Sequence, residues 1–410
     1  MCRAIAAVHS SPVVTPRSSL ESHNQRIFSS VHAGSAGPSR ALPPSFPRHF
    51  FLGRTNPLVS SGEQTDVRKL AGGQMPRAAR NILETVGNTP LLQLERAFSD
   101  WPFTVFAKVE AFNPGGSIKD RPARAILLDA MNSGHIDHDT IVVESSSGNM
   151  GIGLAQACKY LGLRFVCVID AKTTSQNQNL LRTYGATLSI IDKPDPESGE
   201  YLTARLRRVK ELLDSYPKTF WPNQYANPRN AAAHHDTMAE IMNCLDGNLD
   251  FLFCSTSTCG TLRGCSEYLK QQGFPTRVIA VDAIGSVIFG GKVTKRVIPG
   301  HGAARCPELF RTDLAERCIH MSDWDCVVGC RRLLEKEALL VGGSSGASLM
   351  AIEKMAHEIP SGARCAVIFP DGGQRYLDTI FSDTWVLNQF GELPVVNDEE
   401  GITCHSTIFS

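Results

Sequence analysis

The chain has 410 residues, of which 42% are hydrophobic and 20% are charged, with 41 basic and 41 acidic side chains. This composition is ordinary for a globular protein, and the length suggests two packed domains and a tail. A formal charge of zero gives no electrostatic reason to expect nucleic acid or an anionic membrane as a partner. No run of 18 or more apolar residues occurs, so the sequence predicts no membrane-spanning helix.

The first 75 residues differ from the rest of the chain. They are rich in Ser, Pro, His and Arg, show no sustained periodicity, and contain Glu21 as the only acidic residue before Glu63. The composition predicts a disordered extension, which we place at residues 1–78. An Arg- and Ser-rich, acid-poor segment is typical of an organelle transit peptide, and an overlong start, with Met75 opening the folded protein, explains it equally well.

From Asn81 onward, short apolar runs alternate with amphipathic stretches of helical length. The predicted strands are Thr104–Val109, Thr140–Val143, Phe165–Ile169, Thr187–Ile191, Leu249–Cys254, Arg277–Val281 and Arg364–Phe369. The predicted helices are Pro122–Met131, Ile152–Leu161, Tyr201–Leu213, Ala231–Cys244, Leu262–Gln272 and Ser348–His357. Buried strands separated by helices are typical of α/β domains whose parallel sheets are covered on both faces.

The 13 cysteines are scattered along the chain. No Cys-x-x-Cys pair and no Cys/His cluster with zinc-like spacing occurs, so the sequence predicts no metal site. Cys326 and Cys330 have the spacing of one helix face but lack a second pair. We interpret the cysteines as reduced thiols of a cytoplasmic protein, buried mostly as small apolar residues.

Lys119 lies in the run Asn113-Pro-Gly-Gly-Ser-Ile-Lys-Asp-Arg121, between a predicted strand and a predicted helix. A turn that presents one amine at a strand-to-helix junction suits a lysine that forms a Schiff base. Taken alone, Lys119 is better explained as a surface lysine on the first turn of a helix.

Three loops of small hydroxylated or glycine residues precede helical segments: Glu144–Gly151, Ser255–Thr261 and Val341–Ala347. Ligands of open α/β sheets bind at the carboxyl ends of strands, where helix N-termini present free N–H groups. The first loop offers N–H groups and hydroxyls to a carboxylate, although an ordinary turn with a serine cap explains it as well. In the second loop, five of seven residues carry hydroxyls, which favours a bound phosphate over a surface loop.

The third loop offers a hydroxyl that can hydrogen-bond a heterocycle nitrogen. The alternative is a helix cap formed by Ser344 or Ser345.

The lysine and the three loops, in this order, resemble the fold-type II pyridoxal-phosphate enzymes, and within them the cysteine synthase and cystathionine β-synthase family. The resemblance covers about residues 80–385 and includes Leu83–Leu91 and Pro370–Gly373. It implies a two-domain α/β architecture of the tryptophan synthase β type, in which each domain is a mostly parallel sheet flanked by helices. The smaller, mobile domain is expected at 112–225, the larger cofactor-binding domain at 79–111 plus 226–390, and a loose tail at 391–410.

The resemblance also implies roles for individual residues. Lys119 matches the catalytic lysine that binds pyridoxal 5′-phosphate, and Asn149 and Ser344 match the residues at the cofactor's 3′ oxygen and pyridine nitrogen. The loop that holds the cofactor phosphate corresponds to Ser257, Thr258, Cys259, Gly260 and Thr261. The loop that binds the substrate carboxylate corresponds to Ser146, Ser147, Gly148 and Asn149.

Some positions depart from the sulfide-using cysteine synthases. Those enzymes typically have Gly-Thr-Gly-Gly-Thr where this chain has Ser257-Thr-Cys-Gly-Thr261, phenylalanine in place of Tyr225, and threonine in place of Met150. The hydroxyls of Ser257 and Tyr225 suit a substrate that is larger and more anionic than acetate or sulfide. Arg205, in a cluster with Arg207 and Arg208, is the preferred candidate for a phosphate or carboxylate contact, with a solvated helix face as the alternative.

This pattern resembles a siderophore-pathway branch of the family. That branch joins O-phospho-L-serine to L-glutamate through an α-aminoacrylate, on the route to 2,3-diaminopropionate. The expected partners are therefore amino-acid substrates and a second copy of the chain in a homodimer. The alternatives are a cysteine synthase or cystathionine β-synthase, a catalytically silent binding protein, and, less well supported, a nicotinamide oxidoreductase.

Overall fold

The computed structural model describes residues 78–197 and 199–394. The predicted N-terminal extension, apart from Ala78, and the predicted tail beyond residue 394 lie outside these ranges. Within them, no helix has the combination of length and apolar character that crossing a bilayer requires.

A six-stranded sheet is the larger of the two sheets. Its strands, in spatial order, are β1 (Leu91–Gln93), β2 (Thr104–Val109), β10 (Arg364–Phe369), β7 (Phe251–Ser255), β8 (Arg277–Ala283) and β9 (Arg317–Met321). Neighbouring strands are parallel except for β1, which is antiparallel to β2. Because β10 lies between β2 and β7, the last described strand in chain order is inside this sheet rather than at its edge.

Helices cover both faces of the larger sheet. They are α5 (Pro228–Cys244), α6 (Gly260–Gln272), α7 (Asp323–Glu337), α8 (Gly343–Met355) and α9 (Asp383–Phe390). Phe251 and Phe253 of β7 pack with α7 and α8, whereas Leu252 and Cys254 pack with α5 and α6. Successive side chains of a strand point to opposite faces, so a strand covered on both sides is apolar throughout.

The smaller sheet has four parallel strands. In spatial order they are β5 (Thr187–Ile191), β4 (Arg164–Asp170), β3 (Ile141–Ser145) and β6 (Thr219–Phe220). One face packs against α1 (Asp120–Asn132), α2 (Asn149–Leu161) and α3 (Ser175–Thr183), and the other against α4 (Tyr201–Ser215). The predicted α/β class with two mostly parallel sheets is confirmed, whereas the domain boundaries and the mobility of the smaller domain stay predictions.

Five helices begin earlier than the apolar pattern predicts. The structure starts α2 at Asn149 rather than Ile152, α6 at Gly260 rather than Leu262, and α8 at Gly343 rather than Ser348. Helices α1 and α5 also begin two and three residues early. The first turns consist mostly of small or polar residues, which carry little apolar periodicity. These turns also contain the first N–H groups of each helix, which lack intrahelical acceptors.

Candidate active site

The topology places the lysine turn and two other segments at one edge of the larger sheet. Strands β2, β10 and β7 are adjacent and parallel, so the residues that follow their carboxyl ends lie side by side. Ile118 N donates to Pro370 O (2.8 Å), and isolated β-bridges join Ser117 to Asp371 and Val341 to Gly372. The lysine turn and the Ser344 turn are therefore both joined to the segment that follows β10.

Lys119 immediately precedes α1 and is half-buried. Its backbone N–H donates to Ser117 Oγ (3.2 Å), whereas its ε-amine has no hydrogen-bond or ion-pair partner among the residues that the structure describes. Burial lowers the pKa of the amine, although the nearby Asp371 carboxylate opposes the change. The structure thus presents an unpaired amine that loses its proton more readily than an ordinary lysine.

A buried ionic network supports the lysine turn. Arg121 donates to Glu110 (2.7 and 2.8 Å) and to Glu240 (2.7 and 2.7 Å). Lys108 lies 2.6 Å from Glu240 and donates to Thr89 O (2.6 Å). Two cations and two carboxylates balance, so the network fixes the start of α1 without a net buried charge.

The loop Ser255–Thr261 connects β7 to α6 and leaves N–H groups free. Those of Ser257, Thr258 and Cys259 have no acceptor within the described part of the chain. Cys259 has the left-handed backbone conformation (φ 63°), at one of the positions where the related loops have glycine. A Cβ on Gly260 would lie 2.3 Å from Asn230 Oδ1, so only glycine fits there. Free N–H groups at a helix N-terminus suit a dianionic phosphate.

The hydroxyl of Thr261 lies 3.4 Å from Nε2 of His234. His234 is fully buried, and burial together with the positive charges of Lys119 and Arg121 lowers its pKa well below the usual value. The imidazole is therefore neutral at the base of this loop. Sequence reasoning missed His234, because a histidine in a helical pattern carries no specific signal.

Ser344 and Ser345 lie in the first turn of α8. The predicted alternative, a cap formed by one of these serines, is wrong: Gly342 occupies the cap position, and no side chain caps the helix. The Ser344 carbonyl accepts from Ser348 Oγ (3.0 Å), whereas the Ser344 hydroxyl has no partner among the residues described. It is free to face a heterocycle nitrogen.

The loop Glu144–Gly151 connects β3 to α2 with most of its groups engaged. Ser146 Oγ accepts from the N–H groups of Gly148 (3.4 Å) and Gly151 (3.0 Å), and Ser147 Oγ accepts from Arg205 Nη1 (2.6 Å). The Ser147 hydroxyl also donates to Asp170 Oδ2 (3.4 Å). The loop is thus braced from within before any carboxylate binds.

Asn149 joins the smaller sheet to the segment after β10. Its Nδ2 donates to Asp371 Oδ2 (2.7 Å), and its Oδ1 accepts from Arg375. Arg375 also donates to Gly115 O (2.7 Å), and the Tyr376 hydroxyl donates to Asp371 Oδ2 (2.8 Å). Burial raises the pKa of Asp371, whose second oxygen, Oδ1, is buried without a partner. Sequence reasoning noted Pro370–Gly373 but assigned no role to Asp371, Arg375 or Tyr376.

Of the three clustered arginines, only Arg205 contacts the candidate site. Its Nε lies 3.3 Å from Asp170 Oδ2, in addition to its bond to Ser147. Arg207 pairs with Asp195 and Arg208 with Glu211 (2.9 Å), and both side chains are exposed.

Of the three clustered arginines, Arg205 also acts electrostatically on Tyr225. Burial raises the pKa of its hydroxyl, and the nearby positive charge of Arg205 partly opposes that change.

Together these groups match the chemical parts of pyridoxal phosphate. The unpaired amine of Lys119 suits its aldehyde, the free N–H groups of Ser257–Cys259 suit its phosphate, and the hydroxyl of Ser344 suits its ring nitrogen. Asn149 keeps one amide N–H for the ring oxygen after bonding Asp371.

Comparisons with known proteins identify the family of this chain. A family model described as "Pyridoxal-phosphate dependent enzyme" matches residues 82–371. N-(2-amino-2-carboxyethyl)-L-glutamate synthase of Ralstonia nicotianae is 44% identical over 309 residues, which cover 75% of this chain and 91% of that protein.

Two crystal structures are also similar. Cysteine synthase from Entamoeba histolytica is 30% identical (TM-score 0.71; 80% of this chain and 94% of that one). The O-acetylserine-dependent cystathionine β-synthase from Helicobacter pylori is 31% identical (TM-score 0.68; 74% and 98%). The chain therefore belongs to the fold-type II family of pyridoxal-phosphate-dependent enzymes.

Proposed function

We propose that this enzyme catalyses a β-replacement in which the amine of L-glutamate displaces the phosphate of O-phospho-L-serine. The products are N-(2-amino-2-carboxyethyl)-L-glutamate and inorganic phosphate. The name of the Ralstonia relative supports this reaction. The observation that carries it in this chain is the position of Arg205, which reaches Ser147 of the carboxylate loop and acts electrostatically on Tyr225. We also propose that the product serves the route to 2,3-diaminopropionate, a siderophore building block.

An arginine at this position suits an anionic leaving group. Guanidinium presents several N–H donors in a plane that matches phosphate, and a charge-assisted bond is about twice as strong as a neutral one. Arg205 is mostly buried, so its contact with a ligand is weakly screened by solvent. Asp170 lies 3.3 Å from its Nε and Ser147 accepts from its Nη1, so Nη2 is left without a partner among the described residues. The hydroxyls of Ser257 and Tyr225 would add neutral donors to the same phosphate.

The chain's own residues would carry the proton and orientation steps. Pyridoxal phosphate, when bound, supplies the electron sink for the negative charge at the substrate's α-carbon. The ε-amine of Lys119, whose pKa burial lowers, would anchor the cofactor and then accept the α-proton. Ser146, Ser147 and Asn149 would hold the substrate carboxylate. The neutral hydroxyl of Ser344 would leave the ring nitrogen unprotonated, which favours elimination and replacement over transamination.

We further propose a cytoplasmic homodimer. The 11 cysteines that the structure describes are all unpaired, including the exposed Cys244 and Cys306, as expected in a reducing compartment. Analytical ultracentrifugation tests the dimer, and localisation of a tagged full-length chain tests the compartment.

The reaction is tested by counting products. Purified enzyme, loaded with cofactor, is mixed with O-phospho-L-serine in the presence and absence of L-glutamate. We expect phosphate release that requires glutamate and is equal in amount to a new product with the mass of the N-linked adduct. Phosphate release without incorporation of glutamate would contradict the proposal.

A further inference from the structure

The segment that follows β8, from Thr294 to Leu309, packs against the candidate site. Gly302 N donates to Thr256 O (2.8 Å) beside the phosphate loop, and Leu309 N donates to Tyr225 O (3.1 Å). The Cys259 side chain packs in one apolar cluster with Ile288, Ala303 and Leu309. The position of this segment is thus fixed relative to both the phosphate loop and Tyr225.

Arg296 in this segment is a half-buried arginine without an acidic partner. Its Nη1 donates to His301 O (2.6 Å), and no carboxylate pairs with it within residues 78–197 and 199–394. Gly302 makes room for the guanidinium, because a Cβ there would lie 2.7 Å from Arg296 Nη1. By contrast, Arg205 is paired with Asp170, and Arg305 lies 3.6 Å from Glu308. A partly desolvated, uncompensated cation is costly unless an anion binds it.

His301 provides a second, independent observation. Its side chain is 1% exposed, and neither ring nitrogen has a hydrogen-bond partner in the described structure. Burial, together with the charge of Arg296, lowers its pKa to about 3, so the ring is neutral. A neutral imidazole holds one N–H donor, and leaving it unbonded in the interior is unfavourable. Apart from the bond of Arg296 to His301 O, the guanidinium and the imidazole therefore form neighbouring donors without a partner in the described structure.

Tyr225 connects Arg296 and His301 with the candidate active site. Burial raises the pKa of its hydroxyl, the charges of Arg205, Arg296 and Arg305 oppose that change, and the charge of Glu144 adds to it. Arg205 comes from α4 on the smaller sheet, whereas Arg296 comes from a loop of the larger sheet. A ligand beside Tyr225 therefore lies in the field of cations supplied by both sheets.

Resting on the reaction proposed above, we propose that Arg296 binds a carboxylate of the incoming amino-acid nucleophile, with the His301 N–H as a second donor. The reaction places two anionic groups near Tyr225, the phosphate that leaves and a carboxylate of the amine that replaces it. Arg205, already bonded to the carboxylate loop, serves the first substrate. Arg296, in a loop of the larger sheet and without an ion-pair partner among the described residues, serves the second. Arg296 is thereby a specificity-determining residue for a dicarboxylic amine.

The two half-reactions are separated in the test. Arg296→Gln is compared with Lys295→Gln, which removes one charge from an exposed neighbour on the same segment. For each variant we measure KM for glutamate, KM for O-phospho-L-serine, and the spectral change that O-phospho-L-serine produces without glutamate. Loss of one charge-assisted, bidentate contact predicts a KM for glutamate raised at least about tenfold in Arg296→Gln. The spectral change and the KM for O-phospho-L-serine stay as in the wild type, and Lys295→Gln changes none of them.

Amide analogues sharpen the assignment. Glutamine lacks the side-chain carboxylate and glutamate 1-amide lacks the α-carboxylate, so the wild type should discriminate against at least one of them. That discrimination should shrink about tenfold in Arg296→Gln, because the rejected amide no longer leaves a charge unpaired.

The outcomes separate this inference from the reaction itself. If the wild type forms no glutamate adduct, the proposed function fails. If the wild type forms it and Arg296→Gln keeps the KM for glutamate, the role of Arg296 fails alone. A raised KM for O-phospho-L-serine with an unchanged KM for glutamate also contradicts the inference, because the anion bound would then be the phosphate. If Arg296→Gln does not fold, Arg296→Lys replaces it. Lysine keeps the charge but lacks the planar guanidinium that bonds a carboxylate through two N–H groups. The same KM values and spectral change are measured, and the same outcomes apply.

Discussion

Replacing Glu240 by glutamine is expected to weaken the fold beneath the active-site lysine in a pH-dependent way. Glu240 is 17% exposed and bonds both Arg121 and Lys108. Although burial opposes its ionisation, these bonds lower the pKa of Glu240 from 4.5 to about 2. Glutamine has nearly the same shape but no charge, and its amide nitrogen replaces one of the two oxygens that accept from Arg121.

The size of the effect follows from that pKa. A change of one pKa unit corresponds to about 1.4 kcal/mol, so the shift of Glu240 corresponds to roughly 3 kcal/mol of folding free energy at neutral pH. Because the pKa is lower in the folded state, this stabilisation is present above pH 4.5. It is lost as the pH falls from about 4.5 towards about 2. This free energy is of the same order as the cost of breaking a buried ion pair, which is typically about 3–5 kcal/mol.

Denaturant unfolding of the wild type and Glu240→Gln, at fixed cofactor concentration, measures this difference at pH 7 and again near pH 3. We expect a gap of about 3 kcal/mol at pH 7 that narrows clearly at the lower pH. Glu316→Gln, which removes an exposed pair with Arg277, should change stability by less than about 1 kcal/mol at either pH. A gap of equal size at both pH values would refute the ionic explanation.

Three further predictions concern the site. Lys119→Ala should lose turnover and the cofactor's absorbance near the visible edge, and full activity in that variant would exclude Lys119 as the anchor. Ser257→Gly combined with Tyr225→Phe should shift preference from O-phospho-L-serine towards O-acetyl-L-serine, by about tenfold per hydroxyl lost, in competition kinetics. An unchanged preference would show that these hydroxyls do not select the leaving group. Cys259→Gly should be at least as stable as Cys259→Ala in denaturant unfolding, because a left-handed backbone costs alanine about 1 kcal/mol that glycine avoids. A less stable glycine variant would mean that no such strain exists.

Much of the fold was predictable because the buried strands are strongly apolar. Every predicted strand occurs, with ends shifted by a few residues, since parallel strands covered on both faces leave continuous apolar runs. No comparable apolar run predicts β1, β6 or β9. Strand β1 is a three-residue edge strand, β6 has two residues, and β9 carries exposed polar positions. Short or half-exposed strands take their structure from neighbours that local patterns do not reveal.

The site was predictable where one short motif carries several groups, and not where partners are distant in the chain. Lys119 and the phosphate loop stand out as contiguous segments. The contact between Asn149 and Asp371 joins residues 222 positions apart, so only the folded chain reveals it. Arg296 likewise lies in a segment without an obvious motif, and the inference about it rests on the absence of an ion-pair partner in the described structure.

A competition among nucleophiles tests the central claim most directly. The cofactor-loaded enzyme is given O-phospho-L-serine with equal concentrations of L-glutamate, sulfide and homocysteine, and the products are quantified by mass. The account predicts that the glutamate adduct predominates over cysteine and cystathionine. A mixture in which cysteine or cystathionine predominates would contradict it and would make the enzyme a cysteine synthase or a cystathionine β-synthase.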